Sequence, residues 1–248
     1  YEVEGDDRCV EIASKLISEF MDVLDEKKIR MCFDVKARHG DFEAFMIAME
    51  WNRPLDRKFY LPRAKVLKSK GAVQAFQDLE DDKLDLLVLN LPPRIGKSTL
   101  SMFFILMRAA LYPEQSILGN GHSTALTQSF YREFLNLATS DEYRFKEIFA
   151  NIDISTQNAE YTYVDFNTDK RFHTAMFKSI EGGTTGLAEA SNLLYCDDLV
   201  KDAKGVIPVL HDEVNRQYEL CRQRGIYLDH LNIKGNYKRN IFCILCVY

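Results

Sequence analysis

The sequence has no long hydrophobic run and no secretory leader pattern. Its longest apolar stretch, residues 102–111, is interrupted by Arg108 and is too short for a membrane helix, which needs about 20 apolar residues. The first eight residues include four acids, whereas a secretory signal has basic residues followed by an apolar segment. We therefore expect a cytoplasmic protein that does not act on a membrane.

Cysteine is scattered along the chain, and only Cys243 and Cys246 among the six have CxxC spacing. With no second pair and no histidine at ligand spacing, we expect reduced thiols and no zinc site. The net charge of −5 excludes a uniformly basic nucleic-acid binder. A local basic face stays possible, because phosphate binding needs only a few cations in one groove. A chain of 248 residues that is 46% hydrophobic can bury a sizeable core.

Residues 86–99 are the most informative part of the chain, with the sequence Leu-Leu-Val-Leu-Asn-Leu-Pro-Pro-Arg-Ile-Gly-Lys-Ser-Thr. The apolar run predicts a buried strand, and a helix is predicted to begin near Lys97. Gly96 permits a tight turn, and free backbone N–H groups at a helix N-terminus bind phosphate. The pattern departs from G-x-x-x-x-G-K-[ST], because Leu91 stands where the first glycine is expected, so the prolines must shape the loop.

This stretch predicts a site for a nucleoside triphosphate, with ATP and Mg²⁺ as its ligands. Lys97 would reach the β- and γ-phosphates, and the Ser98 hydroxyl would hold the metal. The predicted nucleotide-binding residues are Pro93, Arg94, Ile95, Gly96, Lys97, Ser98 and Thr99. The alternative is an ordinary strand-to-helix turn that carries a surface lysine.

The rest of the chain predicts helices first and then strands alternating with helices. Helical periodicity covers residues 9–31, Asp41 caps a further helix, and a basic loop at 53–70 leads into a helix that ends at 78–82. From residue 84 the alternation predicts an α/β fold with a mainly parallel sheet. The predicted elements are strands at 85–91, 116–119 and 192–198, helices at 98–111, 123–138, 141–149 and 208–223, and a hairpin of 160–166 with 171–177.

Two acids end the strand predicted in the sequence Leu-Leu-Tyr-Cys-Asp-Asp, residues 193–198. In α/β folds the carboxyl ends of parallel strands form the ligand site. Asp197 would hold Mg²⁺, and Asp198 would orient or deprotonate the attacking water. The alternative is a polar strand end exposed at the rim of the sheet.

Several motifs together resemble the large terminase subunits of tailed bacteriophages, the motors that package DNA into proheads. The variant phosphate loop Pro-Pro-Arg-Ile-Gly-Lys-Ser-Thr comes first, and residues 116–149 are similar to the second strand and helix of that ATPase. The glycine-threonine loop Gly-Gly-Thr-Thr-Gly-Leu-Ala-Glu-Ala, residues 182–190, then precedes the Asp-Asp strand. The resemblance covers about residues 60–224.

The resemblance implies a P-loop ATPase with a mainly parallel sheet flanked by helices. In that family Lys97 and Ser98 would bind phosphates and metal, and Asp197 would be the magnesium-binding acid. Asp198 would occupy the place of the catalytic glutamate, one methylene shorter, and Arg94 would sense or stabilise the γ-phosphate. The implied partners are double-stranded DNA, the portal ring and the small terminase subunit. The motor would work as a homo-oligomeric ring in the host cytoplasm.

Other roles implied by the family fall on less specific residues. Adenine would be held upstream of the loop, by residues 59–63 or by Gln74 and Gln77. Arg132 or Arg144 would complete the site of a neighbouring subunit.

The predicted organisation is a small N-terminal helical appendage at 1–58, the P-loop ATPase domain at 59–225 and an atypical tail at 226–248. No nuclease activity is expected, because no RNase H-like segment follows the ATPase motifs. The tail has two explanations: residues 241–248 form the strand before the family's coupling segment, or the tail is foreign sequence, which its composition slightly favours. The functional alternatives are a P-loop helicase or recombinase-like ATPase, and a truncated nucleotide-binding remnant without turnover.

Overall fold

The computed structural model describes residues 7–92, 94–180 and 190–198, together with the backbone of residues 242–247. Three predicted features lie outside the described residues: the glycine loop 182–186, the helix at 208–223 and Pro93.

Helices make up most of the chain up to Ile148. In chain order they are α1 (Asp7–Phe20), α2 (Glu26–Arg38), α3 (Phe42–Met49), a short 3₁₀ helix (Leu55–Arg57), α4 (Tyr60–Ser69), α5 (Ala72–Glu80), α6 (Lys97–Leu111), α7 (Thr124–Thr139) and α8 (Phe145–Ile148). Among the described residues, none of these helices has both the length and the apolar character needed to cross a membrane.

Seven strands form one mixed sheet in the order β1-β7-β6-β2-β5-β4-β3. Their bounds are β1 (Leu86–Asn90), β2 (Ile117–Gly121), β3 (Ile154–Asn158), β4 (Tyr163–Phe166), β5 (Ala175–Ser179), β6 (Leu193–Asp197) and β7 (Phe242–Val247). The pairs β1–β7, β7–β6, β6–β2 and β2–β5 are parallel. At the other edge β4 is antiparallel to both β5 and β3. The chain is therefore a mixed α/β protein whose sheet is only partly parallel.

The strand, turn and helix predicted around the Gly-Lys-Ser-Thr motif are present, but β1 is not the buried strand expected, because Leu86 and Val88 are about half exposed. The hairpin is confirmed and is formed by β4 and β5. The sequence missed β3, which adds an edge strand to that hairpin. Strand β7 lies between β1 and β6. Because β1, β7 and β6 are parallel, the carboxyl ends of β1 and β6 lie at the same end of the sheet.

The N-terminal region differs in two places from its predicted elements. The predicted helical stretch 9–31 is two helices, because the Asp25 carboxylate accepts a hydrogen bond from the backbone N–H of Lys28 (2.9 Å) and starts α2. The predicted basic loop contains α4, where Pro62 stands in the first turn and removes no internal hydrogen bond. The predicted cap is confirmed, since Asp41 accepts from the Ala44 N–H (2.8 Å).

The hydrophobic core runs without interruption across residue 58. Phe42 of α3 packs on Phe104 of α6 and on Phe76 of α5, with ring centroids 5.3 and 5.2 Å apart. Phe104 and Phe76 are themselves 5.0 Å apart, and all three rings are fully buried. Helix α3 thus belongs to the core that holds α6 in place. On α7, Phe130 packs on Tyr195 of β6, which fixes this helix over the sheet (5.4 Å).

Candidate functional site

The loop of residues 91–96, called the Gly96 loop below, joins β1 to the first turn of α6. Gly96 is the residue before the helix, with φ +94°, and Arg94 also has a positive φ of +65°. These two left-handed residues turn the chain sharply between the end of β1 and the start of α6 at Lys97. The first N–H groups of a 15-residue helix have no acceptor within the helix, which makes this terminus suited to an anion.

Gly96 is required by a close neighbour as well as by its backbone angle. A Cβ atom at this position would lie 2.4 Å from Cε2 of Phe59, which is shorter than real contacts allow. The Phe59 ring is itself fixed, because it stacks on Phe103 of α6 (5.8 Å) and the Arg63 guanidinium lies 5.1 Å from its centre. Arg63 also donates from Nη1 to the carbonyl oxygen of Phe59 (3.0 Å). Phe59 therefore supports the outer wall of the Gly96 loop.

Ser98 and Asp197 are in direct contact. The Ser98 hydroxyl donates to Oδ2 of Asp197 at 2.6 Å, and the Tyr195 hydroxyl donates to the same oxygen at 2.8 Å. Asp197 is only 2% exposed, and its Oδ1 has no hydrogen-bond partner among the described residues. A buried carboxylate oxygen without a partner is costly, so this atom marks a place for a cation or a water molecule.

Asp198 follows β6 with an unusual backbone conformation, φ +46°. Its carbonyl oxygen accepts from the backbone N–H of His122 (3.1 Å) and lies 2.6 Å from Nδ1 of the His122 ring. The Asp198 carboxylate is about one-third exposed and is therefore accessible to water.

Lys97 and Thr99 flank Ser98 on the first turn of α6. Lys97 is buried, at 6% exposure. The Thr99 hydroxyl is hydrogen-bonded to the carboxylate of Glu133 on α7, and burial raises the pKa of Glu133 while this bond lowers it. A second carboxylate, that of Glu133, thus lies beside the N-terminus of α6. No interaction among the described residues joins it to Asp197.

The two arginines that were predicted to act on a neighbouring subunit differ in their exposure. Arg144 is 3% exposed, and its guanidinium makes two hydrogen bonds to the carboxylate of Asp34 (2.9 and 2.8 Å) and one to the carbonyl of Ala48 (3.2 Å). In the structure, this side chain is therefore engaged in contacts within its own chain. Arg132 is exposed on α7, and Arg94 is exposed on the Gly96 loop.

The glutamines predicted to hold adenine have other partners. Gln77 accepts from the backbone N–H of Phe42 (2.9 Å) and donates to the carbonyl of Gly40 (3.1 Å) and to Asp81 (2.8 Å). Gln74 donates to Asp78 on the protein surface (2.9 Å). The Gln77 amide therefore joins α5 to the start of α3, whereas the Gln74 amide makes a contact within α5.

Sequence reasoning assigned no role to Tyr195, His122 or Glu133. Tyr195 stands two residues before Asp197 on a strand, and this spacing places both side chains on one face of the sheet. Glu133 interrupts the buried stripe of α7, three residues after Phe130, which is a recognisable signal. His122 gives no such signal, because its contact depends on the register between β2 and β6.

No known protein family, curated protein or solved structure matches the chain.

Proposed function

We propose that the chain is a Mg²⁺-dependent P-loop ATPase domain that acts as the motor domain of a phage large terminase subunit. The observation that carries this proposal is the 2.6 Å contact between Ser98 and Asp197. A hydroxyl on the first turn of a helix and a carboxylate at a neighbouring strand end are the pair with which P-loop enzymes hold their metal ion. Two sequence motifs that were recognised separately therefore meet at one point.

A magnesium ion fits the residues present. Asp197 Oδ1 and the Ser98 hydroxyl are hard oxygen ligands, and the first of them is buried without a partner among the described residues. Mg²⁺ keeps several waters and takes the rest of its ligands from phosphate, so it needs few protein groups. The described residues contain no group of three or more His, Cys, Asp or Glu placed to hold a metal. When bound, the ion neutralises charge on the β- and γ-phosphates.

The chain's own residues divide the remaining work. The N–H groups of the Gly96 loop and of the first turn of α6 bind phosphate oxygens, and Lys97 pairs with the β- and γ-phosphates. Arg94, exposed on the loop, contacts the γ-phosphate. Asp198 accepts a hydrogen bond from the attacking water and orients it for in-line attack.

The packaging role is supported by the order of motifs in the sequence. The Pro-Pro-Arg lead before Gly96, the loop at 182–186 and the Asp-Asp strand occur in the terminase order. The proposal includes double-stranded DNA, a portal ring and a small terminase subunit as partners, and a homo-oligomeric ring as the working form. In such a ring Arg132 is the exposed arginine of the predicted pair, and no nuclease activity is proposed for these residues.

Nucleotide binding is tested by titrating ATP in the presence of Mg²⁺ into the wild-type chain and into Lys97→Ala, with calorimetric detection. We expect Lys97→Ala to lower the affinity at least about tenfold, equivalent to 1.4 kcal/mol. Lys27→Ala, which removes an exposed lysine of α2, is the matched control and keeps wild-type affinity. Equal affinities for all three proteins would contradict the site.

The packaging role is tested separately, by binding of the chain to an isolated portal ring. Retention on the ring is expected for a packaging motor. Hydrolysis of ATP without retention would indicate a helicase or recombinase-like ATPase, and binding of ATP without hydrolysis would indicate a nucleotide-binding domain without turnover.

A further inference from the structure

His122 lies directly after β2, the strand that neighbours β6. The two strands are parallel, and their ladder ends with Asn120 beside Cys196. Two residues further along, the backbone N–H of His122 donates to the carbonyl oxygen of Asp198 (3.1 Å), and Nδ1 of the ring lies 2.6 Å from the same oxygen. Since a carbonyl oxygen only accepts, Nδ1 must carry the ring hydrogen.

The double hydrogen bond holds a residue in the left-handed region. Asp198 has φ +46°, a conformation that is uncommon outside glycine, although aspartate adopts it more readily than most residues. Its carboxylate Oδ2 is 3.5 Å from the same Nδ1, longer than a hydrogen bond, so the ring bonds the carbonyl oxygen and not the carboxylate. The His122 ring therefore fixes the backbone of Asp198 and leaves its carboxylate able to accept a hydrogen bond from water.

His122 is also held from the opposite side. Its carbonyl oxygen accepts from the hydroxyl of Ser179 (3.2 Å), the last residue of β5. The ends of β5, β2 and β6, three neighbouring strands, are thus joined in a row through His122. The backbone of His122 is therefore held between β5 and β6, and its ring adds one further hydrogen bond to Asp198.

We infer that His122 is the positioning residue of Asp198, setting the direction of the carboxylate that activates water. The inference rests on the proposed ATPase function, because a role for Asp198 in hydrolysis is part of that proposal. His122 acts through Asp198 and does not need to touch the nucleotide. It should therefore affect turnover and leave nucleotide affinity alone.

The chain offers a sharp test through three substitutions of one side chain. Asparagine places its amide nitrogen close to the position of Nδ1, whereas glutamine places its amide near the position of Nε2. We expect His122→Ala and His122→Gln to lower kcat for ATP hydrolysis about 10- to 100-fold, a partial loss of the contribution of a positioned base. His122→Asn should retain at least about a third of wild-type kcat, and all three should bind ATP within about twofold of wild type, a smaller change than the loss of one contact would cause.

A double-substitution cycle separates positioning from a general loss of structure. In an Asp198→Ala background, adding His122→Ala should lower kcat less than about twofold further, since residues that act as a unit are not additive. Unfolding in urea for each variant shows whether the fold is kept.

The outcomes are distinguishable. A wild-type chain that fails to hydrolyse ATP contradicts the proposed function and this inference together. If the wild type is active, any of three results contradicts the inference alone. These are an unchanged kcat in His122→Ala, a His122→Asn variant as slow as His122→Ala, and additive losses of kcat in the double-substitution cycle.

Discussion

Ser98 and Asp197 are 99 residues apart in sequence, and the hydroxyl of the first lies 2.6 Å from Oδ2 of the second. The contact places the N-terminus of α6 against the carboxyl end of β6, with β7 between β6 and the strand that precedes α6. The second oxygen of Asp197 is buried and has no partner among the described residues. In the proposed function, this oxygen is the ligand that would hold the metal ion beside the nucleotide.

Asp197→Asn should greatly lower the ATP hydrolysis that Mg²⁺ supports. The amide keeps the size of the side chain but loses the charge, and metal-based stabilisation of the transition state supplies several kcal/mol, so kcat should fall at least about 100-fold. The measurement is ATP hydrolysis as a function of Mg²⁺ concentration. Asp141→Asn, at an exposed acid, is the matched control. The same kcat and magnesium response in both variants would show that Asp197 does not serve the metal.

Gly96→Ala should weaken both the fold and nucleotide binding. The new Cβ would meet Phe59 at 2.4 Å, and φ is +94°. Gly71 is a matched control, because its φ is +70° but no atom lies within 4 Å of a Cβ built there. Both variants should lose about 1 to 2 kcal/mol through the left-handed backbone, and Gly96→Ala should lose more.

Only Gly96→Ala should also lower ATP affinity, by at least about tenfold. Urea unfolding and nucleotide titration measure the two effects. Equal losses of stability at the two glycines would mean that the Phe59 ring moves aside easily.

Arg144→Ala should be strongly destabilising. The guanidinium is paired with Asp34 at 2.8 Å in a nearly closed environment, and its removal leaves that carboxylate uncompensated. Breaking a buried pair in this way costs about 3 to 5 kcal/mol. Arg132→Ala, on the exposed side of α7, should change the free energy of unfolding by less than about 0.5 kcal/mol. Similar values for the two variants, measured by urea unfolding, would contradict a structural role for Arg144.

Glu133→Gln should alter how stability depends on pH. Burial raises the pKa of Glu133 in the folded chain above its ordinary value of 4.5, so the folded state binds more protons than the unfolded state in the interval above 4.5. The stabilising contribution of Glu133 is therefore present at low pH and is lost as pH rises through the folded pKa.

Glutamine is neutral throughout and can still accept the hydrogen bond from Thr99. Relative to wild type, Glu133→Gln should therefore be more stable at about pH 8 than at about pH 4.5. Urea unfolding at both pH values gives the comparison. If the difference in free energy of unfolding between the two proteins is the same at both pH values, Glu133 titrates as an exposed carboxyl does.

The elements around the site follow from local patterns. The apolar run of β1, the turn at Gly96 and the apolar helix after it each leave a clear signature, and so does the Asp41 cap. By contrast, β3 has the polar sequence Ile-Ser-Thr-Gln-Asn, because an edge strand is stabilised by one neighbour and needs little apolar surface. Helix α4 was hidden by Pro62, which reads as a loop residue although the first turn of a helix tolerates it.

The pairings within the site depend on distances that no local pattern contains. The adjacency of Ser98 and Asp197 could be predicted, because parallel strands bring their carboxyl ends together. The contact of His122 with Asp198 depends on the register between β2 and β6, and that of Thr99 with Glu133 depends on how α7 crosses α6. Arg144 was predicted to complete a neighbouring subunit's site, and its burial against Asp34 of α2 depends on a pairing of residues far apart in the sequence.

The central claim is that the chain hydrolyses ATP through Lys97 and the residues around it. The most direct measurement is phosphate release in the presence of Mg²⁺, with and without double-stranded DNA, by the wild-type chain, Lys97→Ala and the exposed control Lys27→Ala. We expect release by wild type and by the control, stimulated by DNA, and a loss of at least about 100-fold in Lys97→Ala, whose ammonium stabilises the phosphates during transfer. Equal rates in Lys97→Ala and wild type would contradict the account.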